Sequence, residues 1–339
     1  MQGIVVLSIA FVLGEIALRT YQYFNPTFIF HASSHNRFRG KPFSDDWNFK
    51  LNSKGFKDKE FSEKETGTYR IIGIGDSFAF GVVPYEYNYL TVLESKLKAA
   101  AIDAEVLNLG IPGIGPKDYL TLFIQEGLPL NPDMLLLSFF IGNDFSEIQE
   151  RKLTSYSYVA SLLSYISTLT TTYKGQIIHG QGNYCDACPN FDEETFLKIE
   201  KDRSFMYLEG NQRFPGLQKK AMYYLNQISV ICQEKGVDLV IVLIPDELQV
   251  NPQLQKNVRE KFYADVEEST WNMRLPNDRL IAEFDKRKID YIDLYEYFTE
   301  RPTEQLYRPR DTHWNIAGNN LAANVMHDYL LNQYVDRMN

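Results

Sequence analysis

The sequence predicts an α/β protein in which helices cover both faces of a central parallel sheet of about five strands. Three observations support this prediction. Apolar runs alternate with helical patterns from residue 69 onwards, and strands that alternate with helices form parallel sheets. The run "DMLLLSFFIG" at 133–142 has no polar alternation, as expected for a strand covered on both faces. Small or polar residues follow the apolar runs directly, and in such sheets ligands bind beyond the carboxyl ends of the strands.

The N-terminal segment is predicted to be a membrane helix. The stretch "GIVVLSIAFVLGEIALR" at 3–19 is apolar apart from three polar residues, and "TYQYF" extends it to residue 24. That length suffices to span a bilayer, and the closing aromatic residues suit its interface. No clean small-x-small cleavage site follows, so we expect residues 1–24 to form an uncleaved membrane anchor or signal-anchor helix. A buried core helix or an amphipathic surface helix is the alternative. Glu15 is expected to face a partner or a second copy, or to snorkel from near the helix end.

The elements of the main domain follow in order. Residues 25–65 are polar and aromatic without a sustained period, which predicts a linker and an irregular first layer. The domain proper is expected to span 66–339, with an insertion at about 145–215 where the alternation breaks. Strands are predicted at 69–75, 104–110, 133–142, 237–244 and 289–294. Helices are predicted at 87–100, 116–127 and 157–169, and an amphipathic C-terminal helix at 314–335.

Two of the three cysteines, Cys185 and Cys188, form a C-x-x-C in the predicted insertion. As a zinc site the motif is half complete, because no second pair of ligands accompanies it. It also lacks the strand-to-helix setting of a redox pair. In a loop outside the cytoplasm it is typical of a local disulfide, with two unrelated thiols as the alternative. Cys232 lies in an apolar helical pattern and is expected to be free.

Composition limits the function classes. The net charge of −9 argues against a general nucleic-acid binder, which needs a basic face. The glycine-rich "GIPGIG" at 110–115 lacks the lysine of a phosphate-binding loop and the acidic residue of a dinucleotide site. We therefore expect no cofactor, no metal and no nucleic-acid partner.

Residues with the chemistry of acyl transfer follow the predicted strands. Ser77 follows the first strand, Gly113 follows the second and Asn143 follows the third, while Asp311 and His313 lie beyond the last. Because the carboxyl ends of parallel strands share one edge of the sheet, these five residues are expected to converge. Any one of them has an ordinary structural explanation, such as a helix cap or a turn residue. Their occurrence together, each at a strand end, favours a catalytic site.

The chemistry assigns a role to each residue. A serine hydroxyl is a weak nucleophile and needs an adjacent base, which His313 supplies for Ser77. Asp311 would hold the imidazole tautomer and stabilise the imidazolium. The backbone N–H groups of Ser77 and Gly113, with the side-chain amide of Asn143, would bind the developing oxyanion.

The motifs that carry these residues resemble the four blocks of the SGNH (GDSL-type) hydrolase superfamily. They are "GDS" at 75–77, "NLGIPG" at 108–113, "GND" at 142–144 and "DTHW" at 311–314, and the resemblance spans roughly 69–320. It implies a flavodoxin-like three-layer sandwich and the same five site residues. Many members separate the aspartate and histidine by two residues, whereas Thr312 alone stands between them here. The "DTHW" form resembles the membrane-anchored branch that contains alginate O-acetylation proteins.

Three functions follow from this resemblance. The first is a serine esterase that removes acyl groups, foremost acetyl, from a cell-envelope carbohydrate or a small ester through an acyl-Ser77 intermediate. The second is an O-acyltransferase that acts on an envelope polysaccharide beside a membrane-bound O-acyltransferase. The third is a non-catalytic scaffold, against which the intact residue set argues. The resemblance and the predicted disulfide place the domain outside the cytoplasm, although basic residues follow the N-terminal helix and do not support that orientation.

Overall fold

The computed structural model describes residues 2–25, 27–31, 34–148, 156–172, 184–301 and 304–338. The strands are β1 (Asp45–Asp46), β2 (Phe49–Lys50), β3 (Tyr69–Ile74), β4 (Ala104–Asn108), β5 (Met134–Phe140), β6 (Asp238–Ile244) and β7 (Asp290–Asp293). The helices are α1 (Gln2–Phe24), α2 (Ser77–Phe80), α3 (Tyr89–Ala99), α4 (Pro116–Leu122), α5 (Tyr158–Thr172), α6 (Glu193–Arg203), α7 (Phe214–Lys235), α8 (Glu247–Val250), α9 (Pro252–Phe262), α10 (Leu275–Arg287), α11 (Tyr295–Thr299) and α12 (Ile316–Met338).

The central sheet confirms the predicted fold class. Five strands pair in the order β4-β3-β5-β6-β7, and every pair is parallel. Numbered along the sheet, this is the 2-1-3-4-5 order of flavodoxin-like proteins, whose ligand sites lie where the order reverses. That reversal occurs at β3, between β4 and β5. The strand that precedes Ser77 therefore lies next to the strands that precede Gly113 and Asn143.

Apolar residues cover both faces of the sheet, as the unbroken strand patterns predict. Along β3, Ile71 packs into the core beneath α3 and α12, whereas Ile72 and Ile74 pack into the core beneath α4, α7 and α10. All three side chains are fully buried. The sheet is thus a rigid central layer, and the loops at its carboxyl edge are held from both sides.

Several predicted elements end at other residues than expected. The single helix predicted at 116–127 is α4 followed by a π-helical turn at Phe123–Gly127 and a 3-10 turn at Leu128–Leu130. Pro129 lacks the N–H that a continuing α-helix would require. The C-terminal helix begins at Ile316 and not at 314, because Trp314 pairs back onto Tyr307 in an antiparallel bridge.

The N-terminal fifth of the chain, before β3, contacts the domain through buried basic side chains such as Lys57. Apart from the β1–β2 hairpin, its described residues between α1 and β3 form mainly turns and irregular chain. Lys57 is fully buried there, and its Nζ donates to the carbonyls of Gly81 (2.9 Å) and Val83 (2.6 Å). The boundaries predicted at 24, 65 and 145–215 remain predictions. Residues 149–155 and 173–183 of the predicted insertion lie outside the described residues.

Candidate active site

The turn after β3 presents Ser77 at the sheet edge. Asp76 is the N-cap of α2, and its Oδ1 accepts from the backbone N–H of Phe78 at 2.9 Å. The capping role therefore falls to Asp76, and the Ser77 hydroxyl is left for other contacts. Asp76 is fully buried, which raises its pKa; the charges of His313 and Arg203 oppose that rise.

The structure brings Ser77, His313 and Asp311 into one hydrogen-bonded chain. Nε2 of His313 lies 2.7 Å from Oγ of Ser77, and Nδ1 lies 2.6 Å from Oδ1 of Asp311. The serine and histidine are 236 residues apart in sequence. With Nδ1 protonated towards the carboxylate, Nε2 accepts the serine proton, which is the arrangement a general base requires.

The segment from Tyr307 to Trp314, here called the 307–314 turn, places both partners of Ser77. Its ends pair in an antiparallel bridge, and the N–H of Arg308 donates to the carbonyl of His313 at 3.0 Å. Within the turn, Oδ1 of Asp311 accepts from the backbone N–H of His313 (3.1 Å) as well as from its ring. A single residue between Asp311 and His313 is therefore enough spacing for the pair, because the backbone N–H and the imidazole of His313 both reach the same carboxylate oxygen.

Charge around Asp311 keeps this carboxylate ionised. Its side chain is 1% exposed, and Nη1 of Arg308 lies 3.0 Å from Oδ2. Burial by itself would raise the pKa of Asp311, but the charge and hydrogen bonds of His313 and the charge of Arg308 outweigh burial and lower it. An ionised Asp311 favours the imidazolium that forms when His313 takes a proton.

Aromatic side chains pack against the His313 ring. The ring of Phe78 lies 5.2 Å from the His313 ring and 4.9 Å from Trp314. Trp314 is 1% exposed and stacks on Phe298 at 5.2 Å. This packing restricts the rotamers of the imidazole and excludes water from its inner side.

The loop after β4 carries Gly113, which adopts a left-handed conformation with φ +63°. A Cβ there would lie 2.7 Å from the ring of Phe38, so the position requires glycine. Arg37, which is buried, donates to the carbonyl of Gly113 and, through Nη1, to Asp118 at 3.0 Å. The N-terminal segment thus fixes this loop, a contact that no local sequence pattern indicates.

Asn108 connects that loop to the nucleophile turn. Its Nδ2 donates to the carbonyl of Ala79 in α2 at 2.7 Å, and its Oδ1 accepts from the N–H of Gly110 at 2.8 Å. A Cβ on Gly110 would lie 2.2 Å from the backbone nitrogen of Phe80. The two loops therefore pack backbone against backbone, which fixes the position of Gly113 relative to Ser77.

Asn143 lies in the loop after β5, as expected, but its amide has a protein acceptor. Nδ2 donates to Oε1 of Glu147 at 3.2 Å. Burial raises the pKa of Glu147 to about 7, as does the nearby Asp76, while Arg37 and Arg203 oppose the rise. One of the two N–H groups of the Asn143 amide suffices for this bond, and the other can serve an oxyanion.

The structure joins Cys185 to Cys188 in a disulfide with a Cα–Cα distance of 5.4 Å, and Cys232 is free and buried. The chain after the disulfide packs on the 307–314 turn, where the N–H of Asn190 donates to the carbonyl of Pro309 (3.3 Å) and that of Phe191 to Arg310 (3.2 Å). The segment that follows the disulfide therefore packs on the turn that carries Asp311 and His313.

Sequence reasoning missed a largely buried cluster of charged side chains, formed by Arg203, Glu200 and Asp246. Arg203, at the end of α6, lies 3.7 Å from both Glu200 and Asp246, and its guanidinium is 5.4 Å from the Phe140 ring. Asp246 follows β6 closely, so the strand-end rule would have found it. Arg203 and Glu200 come from the predicted insertion, and nothing in their local sequence distinguishes them from an exposed helix. In the parts of the chain that the structure describes, no group of three or more His, Cys, Asp or Glu side chains is arranged for a metal ion.

A known family model matches part of the chain. Residues 206–337 match the family model of the SGNH hydrolase-like domain of the acetyltransferase AlgX. That match contains Asp311 and His313, whereas Ser77 lies before it. No curated protein matches the chain significantly.

Solved structures similar to the chain include three esterases or lipases. The acetyl xylan esterase AlAXEase is 16% identical with a TM-score of 0.45, covering 77% of this chain and 99% of that one. The lipase/acylhydrolase from Enterococcus faecalis is 14% identical with a TM-score of 0.41, covering 78% and 96%. The psychrotrophic esterase EstA from Pseudoalteromonas sp. is 12% identical with a TM-score of 0.42, covering 79% and 98%. The motifs, the sheet order and the family match together confirm that this chain resembles the SGNH hydrolase superfamily and, within it, AlgX-type acetyltransferase domains.

Proposed function

We propose that the protein is a serine esterase that cleaves acyl esters, acetyl esters foremost, of a cell-envelope carbohydrate or a small molecule. The observation that carries the proposal is the chain from Ser77 Oγ through His313 to Asp311, with contacts of 2.7 and 2.6 Å. A hydroxyl at a strand end with a base and an orienting carboxylate in line is the arrangement of an activated nucleophile.

The proposed reaction has two steps. Ser77 Oγ attacks the ester carbonyl while His313 Nε2 takes its proton, and the resulting oxyanion accepts from the N–H groups of Ser77 and Gly113 and from the Asn143 amide. His313 then returns the proton to the leaving alcohol, which leaves an acyl ester on Ser77. In the second step His313 deprotonates a water molecule, which attacks that ester; the bond to Ser77 Oγ then breaks, His313 returns the proton to Oγ, and the acid is released.

A second candidate is an O-acetyltransferase, and the match of residues 206–337 to the AlgX acetyltransferase domain favours it. Only the second step differs: a sugar hydroxyl in place of water attacks the acyl-Ser77 ester. The acyl donor would then come from the membrane, supplied by a membrane-bound O-acyltransferase partner.

Mass spectrometry of the intact protein tests both candidates. After brief incubation with p-nitrophenyl acetate, we expect one acetyl group on wild type, located on Ser77 by peptide mapping, and none on Ser77→Ala. Acceptor oligosaccharides are then added: loss of the label without acetylated sugar supports the esterase, and acetylated sugar supports the transferase. A protein that never acquires the label under turnover conditions contradicts both.

The proposed location is a membrane, with the domain on the outer side. Helix α1 is long and apolar enough to cross a bilayer by length and composition, and the Cys185–Cys188 disulfide fits an oxidising compartment. Alkaline phosphatase fused to the C-terminus should be active in cells. An inactive fusion at normal expression would contradict this placement.

A further inference from the structure

Helix α5 packs against helix α1, and the two make an apolar surface that stands apart from the proposed active site. We propose that α1 and α5 form one membrane-embedded helical pair, in which the exposed face of α5 contacts lipid acyl chains. The proposal does not depend on the reaction that Ser77 performs. It gives part of the predicted insertion, which sequence reasoning placed beside the sheet, a role in membrane attachment.

The contact between the helices satisfies polar groups that a bilayer cannot solvate. The Glu15 carboxylate accepts from the hydroxyl of Ser157 and from the backbone N–H of Val159 (3.0 Å) at the start of α5. The first N–H groups of a helix have no acceptor within the helix, and an unpaired carboxylate is costly in hydrocarbon. The hydrogen bond between Glu15 and the start of α5 therefore satisfies both groups. Glu15 thus finds its partner within the same chain, where the sequence suggested a second molecule or the membrane surface.

The contacts between the two helices lie at the start of α5. Arg19 donates to the carbonyl of Tyr156 at 2.8 Å, while five residues earlier in α1 a Cβ on Gly14 would lie 3.1 Å from Val159. Contacts therefore move forward in α5 as they move back in α1. Residues 2–13 of α1 are all exposed, so α5 covers α1 only near Gly14 and Glu15. At about 1.5 Å per residue, α5 itself is roughly 22 Å long.

The composition of α5 is compatible with contact to lipid, since it has no charged residue and the hydroxyls of its serines and threonines, seven of fifteen residues, can bond the preceding helical turn. None of its residues from 158 to 172 is charged. Leu163 and Ile166 are 62% and 52% exposed, comparable to the apolar residues of α1. A helix that faces water on one side carries charged or strongly polar residues there. The hydroxyl of Ser161 bonds the carbonyl of Ser157 and that of Ser167 bonds Ser164, so neither needs water.

Aromatic and basic side chains mark the end of the pair nearest the domain. The Arg19 guanidinium lies 4.4 Å from the ring of Tyr158, and Phe30 stacks on the same ring at 4.4 Å. Arginine and tyrosine prefer the boundary between lipid and water. The start of α5 therefore sits near the membrane surface.

Spin labels on the full-length protein in phosphatidylethanolamine–phosphatidylglycerol nanodiscs test the proposal. Labels are attached to Leu163→Cys and Ile166→Cys, with Leu7→Cys in α1 as the lipid reference and Tyr223→Cys in α7 as the water reference. Tyr223 is 60% exposed. The native Cys232 thiol does not compete, because burial raises its pKa to about 12. Collision rates with oxygen, which concentrates in lipid, and with a water-soluble nickel chelate are then measured.

We expect the labels at 163 and 166 to behave as the label at 7 does, favouring oxygen over nickel, and the label at 223 to show the reverse order. If they follow the label at 223 instead, α5 faces water and the proposal is wrong. If they are closed to both probes, another protein surface covers α5, and lipid is again excluded.

A second arm tests the Glu15 contact. Glu15→Leu removes the acceptor for the start of α5, whereas Glu15→Gln keeps an acceptor oxygen of the same size. The label at 163 should become more mobile in the leucine variant and stay close to wild type in the glutamine variant. Equal mobility in all three proteins would contradict the pairing of α5 with α1 through Glu15.

Discussion

The side-chain amide of Asn143 donates to the carboxylate of Glu147, which lies 3.2 Å away and one helical turn later in the chain. This contact holds the amide in one orientation and leaves its second N–H available to the oxyanion of the proposed reaction. In that proposed mechanism, Glu147 is a positioning residue for the predicted oxyanion donor. Burial and the charge of nearby Asp76, the N-cap of α2, both raise the pKa of the Glu147 carboxyl.

Asn143→Ala should lower turnover of an acetyl ester by about a hundredfold to a thousandfold, the range for loss of one oxyanion donor. KM should change little, because the donor acts on charge that develops in the transition state. Steady-state kinetics with p-nitrophenyl acetate measures both constants. Asn324→Ala, an exposed asparagine in α12, is the matched control. Wild-type turnover in Asn143→Ala would remove the residue from the oxyanion site.

Glu147→Gln should alter how stability depends on pH. The pKa of Glu147 is raised from 4.5 to about 7, so between these values the folded protein holds a proton that the unfolded chain has released. Wild-type stability therefore falls from about pH 5 to pH 7 through this group, by at most about 3 kcal/mol, and then levels off.

The glutamine variant lacks this titration, and its advantage over wild type should grow across the same window. Urea denaturation at pH 5, 6, 7 and 8 measures the difference in the free energy of unfolding. Glu65→Gln, at an exposed position, serves as the control. A constant difference between Glu147→Gln and wild type would show that Glu147 ionises normally in the folded protein.

Ser77→Ala should abolish ester cleavage, because the variant lacks the proposed nucleophile. It should leave the fold intact, because the Ser77 hydroxyl is half-buried at a strand end and its hydrogen bond is to the imidazole of His313. His313→Ala should be similarly damaging. Turnover of p-nitrophenyl acetate and the thermal melting temperature are measured together, with Ser95→Ala on the exposed face of α3 as the control. Unchanged turnover in Ser77→Ala with an unchanged melting temperature would disprove the nucleophile assignment.

Arg308→Met should move the acidic limb of the kcat/KM–pH profile to higher pH. Nη1 of Arg308 lies 3.0 Å from Oδ2 of Asp311, and its charge lowers the pKa of that carboxyl. Without this cation Asp311 takes up a proton at a higher pH and no longer holds the imidazole. Arg308→Lys keeps a positive charge and should shift the limb less. Coinciding profiles for methionine and lysine variants would mean that the charge of Arg308 has no part in the effect.

The cysteines should react in a fixed order. In the native, unreduced protein no thiol should take up iodoacetamide, because two are joined and Cys232 is buried with its pKa raised to about 12. Reduction alone should expose Cys185 and Cys188, and unfolding should then expose Cys232. Activity should fall on reduction, since Asn190 and Phe191 brace the 307–314 turn. Alkylation of all three thiols before reduction would contradict the disulfide.

Local sequence was enough to predict the sheet and to single out the candidate site residues. A fully buried strand such as β5 carries an unbroken apolar run, and that signal does not depend on the rest of the chain. Once the strands are placed, the parallel topology brings their carboxyl ends to one edge. Their positions after apolar runs and the motifs around them therefore made candidate site residues of Ser77, Gly113, Asn143 and the Asp311–His313 pair.

The supporting contacts depended on how distant segments pack. Arg37 reaches Gly113 across 76 residues, and Arg19 meets Tyr156 across 137. An exposed arginine and a buried, paired arginine look alike in sequence. The periodicity of apolar residues shows which face of a helix or strand is buried, but it does not show which polar side chains contact that helix or strand. Two further contacts are of this kind: the hydrogen bonds from the segment after the disulfide to the 307–314 turn, and the hydrogen bond by which Glu15 caps α5. Their partners come from separate parts of the chain, so only folding brings the charges and hydrogen-bonding groups within reach of each other.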